Sequence, residues 1–424
     1  MEFRSDVDFA LELDNKDPLK HFRNRFIVPK REGREQIYFL GNSLGLQPVN
    51  TSDELGKVLK QWADYGVEGF FHGTEPWLEY HDKLTKHLAV IVGAEPSELV
   101  VMNQLSVNLH LMMVSFYRPE GKRNKIICEA KAFPSDQYML ETHIKHLGFD
   151  PKEILIEVSP RPGEYNIRHE DILKAVADHR EELALILWGG INYYTGQAFD
   201  MKGMAAAAHE AGAKIGLDLA HAAGNIRLAL HEWDIDFACW CSYKYLNSGP
   251  GAVGGVFVNS RYHHDPGIKR FAGWWRYDKP TRFNMEKGFI PIGTAEGWQL
   301  STPSILLFAS HYAALTVFSD ARMNNILEKS SLMSSYLFFL LNDIIREQFS
   351  DKLAIITPTD PREHGCQVSM FFREDGRFVF NRLAENGIFA DWREPGVIRI
   401  APVPLYNSFS EIYTFADCLR QVLR

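Results

Sequence analysis

Asp218 and Lys244 stand 26 positions apart, and each follows a short apolar run. Asp218 ends the run that begins at Lys214. Lys244 comes just after a second run, Asp236–Cys241, and is followed by the glycine-rich turn SGPGAVGG. The spacing predicts strand, helix and strand again in a parallel sheet, with both side chains at the crevice beyond the strand ends. A lysine there can form a Schiff base with an aldehyde, and a carboxylate there can pair with a pyridinium nitrogen. Together they meet the needs of pyridoxal phosphate.

The elements that must position this pair alternate in the α/β manner. Strand-like runs occur at 125–129, 154–158, 183–188, 214–218, 236–241 and 254–258, with helical stretches such as 201–212 between them. An α/β fold follows, with a mostly parallel central sheet covered on both faces. After Pro303 the pattern predicts long helices over 304–319 and 323–349. Strands at 353–356 and 367–372, a helix at 376–386, a strand at 397–400 and a closing helix at 410–423 come next. The expected division is an N-terminal segment, 1–45, joining a small α+β domain, 304–424, with the large domain at 46–303.

Composition narrows the partners. The 424 residues are 46% hydrophobic and 24% charged, an ordinary globular balance. A net charge of −8 and a pI near 6.1 argue against nucleic acid as a partner. No apolar run approaches the roughly 20 residues of a membrane span. The acidic start MEFRSDVDFALELDNKD has no signal-peptide character, so a cytoplasmic location is expected. Five scattered cysteines form no C-x-x-C, and the 16 histidines form no metal-binding motif, so no metal site is expected.

Beyond the lysine and the acid, the chain resembles the fold-type I pyridoxal phosphate enzymes, in their class V aminotransferase-like group. Within that group it resembles the kynureninase family. The phrases that carry the likeness are YFLGNSLGLQP, MNQLSVNLHLMM, EAKAFPSDQY, YTGQ, DLAHAAGN, DFACWCSYKYLN and RIAPVPLYNSF, which span nearly the whole chain in order. The resemblance implies hydrolytic cleavage of L-kynurenine, or its 3-hydroxy form, to an anthranilate and L-alanine. It implies a place in tryptophan degradation or NAD biosynthesis, and a homodimer with shared active sites.

It also implies residue roles. Lys244 carries the cofactor and shuttles protons, Asp218 faces the pyridinium nitrogen, and His221 lies near the ring or the Asp218 carboxylate. Phe133 stacks on the ring, with Pro134, Ser135 and Asp136 beside it. Leu105 and Ser106 cradle the phosphate at a helix start. Tyr243 reaches the phosphate or acts as an acid at the carbon being released. Arg399 clamps the substrate α-carboxylate, which suits a planar guanidinium. Trp274 and Thr302 complete the phosphate site from the neighbouring subunit, and Ser43 and His72 face the aryl and carbonyl end of the substrate. The ordinary alternatives are a helix cap for Asp218 or Asp136, core packing for Phe133 and an ion pair for Arg399.

Three positions depart from the family pattern. Gly189 replaces a serine of the animal enzymes, Thr302 replaces Asn, and Val67 stands where a substrate-facing His is expected, with His72 nearby. These changes bear on the choice between kynurenine and 3-hydroxykynurenine. The water-activating base is not identified by any motif. A cysteine desulfurase needs a mobile exposed thiol, and no cysteine lies in a Gly/Ser-rich loop after Thr302. An aminotransferase of the same fold would differ in its products. A nucleotide-binding regulator would have to use the GNSLG and SGPGAVGG loops, neither of which is a phosphate-loop motif.

Overall fold

Short, almost fully buried apolar runs in the middle of the chain pair into one seven-stranded sheet. The computed structural model describes residues 2–424, except for the side chain of Gln348. The strands are β1 (Leu99–Met102), β2 (Lys125–Glu129), β3 (Leu155–Val158), β4 (Leu183–Gly189), β5 (Lys214–Asp218), β6 (Phe237–Cys241) and β7 (Gly254–Val258). Their spatial order is β1–β7–β6–β5–β4–β2–β3. Strands β2 to β6 pair in parallel, and β7 runs antiparallel to β6 and β1. Strands β1, β6 and β7 are buried along their whole length, as strands covered on both faces must be.

Two local features differ from the reading of the sequence. β1 was not expected, because LVVM is four residues long and continues after two turn residues into the apolar helix Leu105–Phe116. Periodicity cannot separate such a strand from its helix. The link from β5 to β6 holds turns in place of the expected helix. Its alanines favour a helix, but Gly224 takes φ +79° and the Asn225 side chain donates to the His221 carbonyl at 2.9 Å. Asn225 also accepts from the Cys366 amide at 3.0 Å. The link is thus fixed by tertiary contacts with the C-terminal region.

A second, antiparallel sheet comprises β8 (Leu353–Ile355), β9 (Val368–Phe372), β10 (Asp391–Arg393) and β11 (Val397–Ile400), in the order β8–β9–β11–β10. Helices Val7–Lys16, Met323–Ile344 and Phe409–Leu423 supply its core with Leu13, Leu337, Leu341 and Phe415. The change of core falls inside helix Met323–Ile344. Met323 and Ile326 pack with the large sheet, and Met333 onward packs with the small one. The preceding helix Ile305–Ala321 buries Phe308, Leu315 and Phe318 in the large core, so the change of core lies beyond residue 304.

The N-terminal segment joins both cores: Phe9, Leu13 and Phe39 enter the small one, and Leu19, Phe22 and Phe26 the large one. GNSLG is one of its fastening points. The Gly45 amide donates to the Tyr243 carbonyl at 2.8 Å, and a Cβ at Gly45 would collide with the Lys244 carbonyl and Asn247. In SGPGAVGG, a Cβ at Gly255 would collide with the Trp240 ring. Gly45 thus serves close packing at the lysine turn, and Gly255 serves the packing of β7 beside β6.

Candidate active site

Adjacent strands β5 and β6 end side by side, so Asp218 and the Tyr243–Lys244 pair emerge at one edge of the sheet. They line a cavity of about 150 Å³ together with Ser106, Phe133, Asp136 and His221. Lys244 Nζ lies 3.0 Å from His221 Nε2. It also sits 5.8 Å from the Phe133 ring centre and 5.9 Å from that of Tyr243. Burial, then the charges of Lys244, Arg399 and Arg393, hold His221 well below the ordinary imidazole range. His221 is therefore held toward its neutral form and can accept a hydrogen bond from Lys244 Nζ through Nε2.

Three buried carboxyl groups share this cavity. Asp218 accepts from the Ala220 amide at 2.7 Å and lies beside Asp136 on the cavity wall. Burial raises both, and the Asp218 charge raises Asp136 further. Glu129, at the end of β2, is pushed up to about 7 by burial, against the lowering effect of its hydrogen bond from Asn192. Burial also raises the Tyr243 phenol, which stays protonated at neutral pH and can act as a donor.

These residues fit pyridoxal phosphate. Asp136 Oδ1 and His221 Nδ1 are buried polar atoms without a partner. Such atoms are costly unless a ligand meets them. Leu105 and Ser106 begin a 12-residue helix whose N-cap, Gln104, makes no side-chain cap bond, and all three line the cavity. First-turn amides at a helix N-terminus suit a phosphate dianion. Phe133 is 40% exposed, so its face is open to a planar ring. Pro134 starts the next helix, and that first turn brings Ser135 and Asp136 to the cavity wall.

Other residues singled out in the sequence are not among those lining this cavity. Arg399 is buried on β11, where it is ion-paired with Asp391 and donates to the Tyr193 carbonyl. Ser43 is half-buried in the turn preceding Gly45. His72 is exposed and lies 3.4 Å from Glu68. Thr302 is exposed, and Trp274 is 44% exposed with its indole N–H bonded to the Arg282 carbonyl.

The structure also adds residues. Glu129 and Tyr193 line the cavity, and the Tyr193 ring packs edge-on to Phe133 at 5.3 Å. Glu129 opens the phrase EAKAFPSDQY and Tyr193 precedes YTGQ, but neither is marked by its own neighbours, and only the pairing of β2 with β4 brings them together. At Gly189, a Cβ would stand at ordinary contact distance, 3.5 Å, from Glu129. This departure leaves the cavity wall intact.

Among the described residues one group, His81, Asp82 and Glu296, has ligand atoms close enough to hold a metal. His81 Nε2 accepts from the Val101 amide at 3.1 Å, so the proton of the neutral ring sits on Nδ1, the atom facing the two acids. Arg276 and Lys279 already pair with Glu296. The group is an internal ion-pair network.

Comparison with known proteins agrees with this geometry. Residues 37–371 match the family model described as Aminotransferase class-V, and residues 326–419 match Kynureninase C-terminal domain. The chain is 49% identical to a kynureninase of Flavobacterium psychrophilum over 99% of both chains. It is 50% identical to one of Koribacter versatilis over 98% of this chain and 97% of that one. Among solved structures, the cysteine desulfurase CsdA of Escherichia coli superposes with a TM-score of 0.75 at 14% identity, covering 96% of this chain and 98% of its own. A variant of the lyase C-DES with glycine covalently linked to its PLP cofactor gives 0.75 at 14% identity, covering 91% and 96%. These last two share the fold. With matching relatives along its whole length and a strand-end pocket built from the shared phrases, the chain belongs to the kynureninase family.

Proposed function

We propose that this pocket cleaves L-kynurenine, or 3-hydroxy-L-kynurenine, hydrolytically between Cβ and Cγ. The products are anthranilate, or its 3-hydroxy form, and L-alanine, and the reaction serves tryptophan degradation or NAD biosynthesis. The observation that carries the reading is the meeting of Lys244, Asp218 and Phe133 around one cavity in a chain about half identical to kynureninases throughout.

Pyridoxal 5′-phosphate supplies an aldehyde that condenses with amines and a ring that accepts the electron pairs left at Cα and Cβ. Asp218 would hold the ring nitrogen, Phe133 would stack on the ring, and Leu105 and Ser106 would receive the phosphate. Lys244 Nζ, beside His221, moves the proton at Cα. Tyr243 keeps its phenolic proton and can deliver it to Cβ once the bond to Cγ breaks. Asp136, beside Asp218 on the cavity wall, would be a polar neighbour of the cofactor. Arg399 binds the α-carboxylate, with Ser43 and His72 toward the aryl end.

A desulfurase is the rival with the same fold. Its thiol must be exposed and easily ionised. Cys128, Cys239, Cys241 and Cys366 are buried. Burial drives the Cys128 and Cys366 thiols up to about 12. Cys418 lies in the closing helix, where burial also raises its thiol.

A homodimer with shared sites is part of the proposal. Trp274, Phe71 and Phe283 form an exposed aromatic group, with Trp274–Phe283 and Phe71–Phe283 ring centres 5.6 and 5.9 Å apart. A second copy covering them would bring Trp274 and Thr302 to its phosphate site. No helix among the described residues is long and apolar enough to cross a membrane. Free cysteines suit a reducing compartment, and we place the enzyme in the cytoplasm.

The test is a visible absorption scan before and after adding L-kynurenine. A band near roughly 420 nm that changes on mixing, while anthranilate fluorescence grows, is the expected result. A response to the 3-hydroxy form alone would move the specificity. No band after reconstitution with pyridoxal phosphate would overturn the roles of Lys244 and Asp218.

A further inference from the structure

The antiparallel register of β10 and β11 sets Asp391 directly opposite Arg399. Such cross-strand neighbours sit close enough for their side chains to pair. Asp391 Oδ2 accepts from Arg399 Nε at 2.6 Å and from Arg393 Nε at 2.9 Å, and it is also ion-paired with Arg399 Nη2. Arg399 Nη1 donates to the Tyr193 carbonyl. That carbonyl also accepts from Gln367 at 3.1 Å, and Ser369 holds the neighbouring Tyr194 carbonyl at 2.7 Å. The small sheet thus grips the turn whose Tyr193 ring lines the pocket.

A guanidinium has five N–H groups. Three on Arg399 are engaged, which leaves two, one on each terminal nitrogen. Two parallel N–H groups are what a carboxylate accepts in a bidentate contact. Charge is preserved as well. Asp391 carries one negative charge against the positive charges of Arg399 and Arg393, so the cluster remains cationic. Arg399 and Arg393 both lower His221 electrostatically, so the cluster's charge is felt at the pocket.

We propose that Asp391 is a positioning residue: it fixes the Nε edge of Arg399 and so presents the terminal N–H pair to the substrate α-carboxylate. The inference rests on the reading of Arg399 as the carboxylate clamp. Arg393 offsets the Asp391 charge. A mobile Arg399 would lose affinity because ordering a long side chain on binding costs entropy.

The experiment compares Asp391→Asn, Arg399→Met and the double variant in the cofactor-loaded enzyme. Readouts are KM and kcat for L-kynurenine, and inhibition constants for L-alanine and for L-alaninamide, which lacks the carboxylate. Asp391→Asn should raise KM and the L-alanine constant ~10- to 100-fold, with kcat changed less than about 3-fold and alaninamide little affected. In the Arg399→Met background the same substitution should add nothing to KM. Asp391→Glu, which displaces the carboxylate by one methylene, should raise KM by a smaller factor.

An unchanged KM in Asp391→Asn while Arg399→Met raises it would overturn the proposal and leave Arg399 standing. Equal effects of Asp391→Asn with and without Arg399 would also overturn it, because the residue would then act through the fold alone. No effect of Arg399→Met on KM or alanine binding would sink the clamp itself. Should Asp391→Asn fail to fold, the Asp391→Glu variant decides, and an unchanged KM there overturns the proposal.

Discussion

The strand-end pocket and the surface formed by residues 66–75 and 271–302 are built in opposite ways. In the pocket, Asp218, Asp136, Glu129 and His221 are all buried, and each is held by a neighbour from another strand end or turn. Across the second region, Val67, Phe71, Phe271, Trp274, Phe283 and Met285 are exposed apolar side chains. One region satisfies its polar groups within a single chain, apart from Asp136 Oδ1 and His221 Nδ1. The other leaves its apolar surface open, which is costly unless something covers it. The proposed chemistry belongs to the first region and the proposed assembly to the second.

Lys244→Ala bears hardest on the first half of that comparison. Loss of the lysine should reduce turnover by at least about a thousandfold, read as anthranilate fluorescence. The variant should still bind pyridoxal phosphate, because its other contacts come from separate elements. Normal turnover without added amine would end the reading of the pocket.

Next in size is the stability effect of Glu129. Its carboxyl is raised from 4.5 to about 7 by burial. A raised group contributes stability that is full below its unfolded pKa and is lost as pH rises through its folded one. Denaturant midpoints of the apoprotein should therefore fall between pH 4.5 and 7, with about 3 kcal/mol from this residue as an upper figure. Glu129→Gln should flatten that slope, and a slope identical to wild type would mean that the burial of this acid is relieved in solution.

Trp274→Ala probes the second region. If a second copy covers the aromatic group, the truncation should weaken self-association by roughly 2 kcal/mol. Sedimentation at falling protein concentration would show it as earlier dissociation, with activity lost in parallel. A monomer at all concentrations, fully active, would mean that the site is complete without a partner.

The site was legible in proportion to how local its parts are. Lys244 and Asp218 announce themselves because an apolar run, a charged residue and a glycine-rich turn are adjacent in sequence. Phe133, Ser135 and Asp136 share one helix start. Glu129 and Tyr193 carry no such local signal, since their importance comes from strands β2 and β4 lying side by side. The 26-residue spacing from Asp218 to Lys244 predicts a helix in the β5–β6 link, but Gly224 and the Asn225 bonds to His221 and Cys366 hold it in turns.

The sequence by itself determined the α/β class and the family, and it singled out the lysine and acid proposed to hold the cofactor, because each rests on adjacent residues or on phrases preserved in order. Only the tertiary structure decided which carboxyl groups burial pushes up together, which histidine it holds down, and how Arg399 is held. Those properties depend on burial and on distances between groups far apart in the chain. Asp391 is the plainest example. Nothing in its neighbours marks it, and its place opposite Arg399 exists only once β10 and β11 pair.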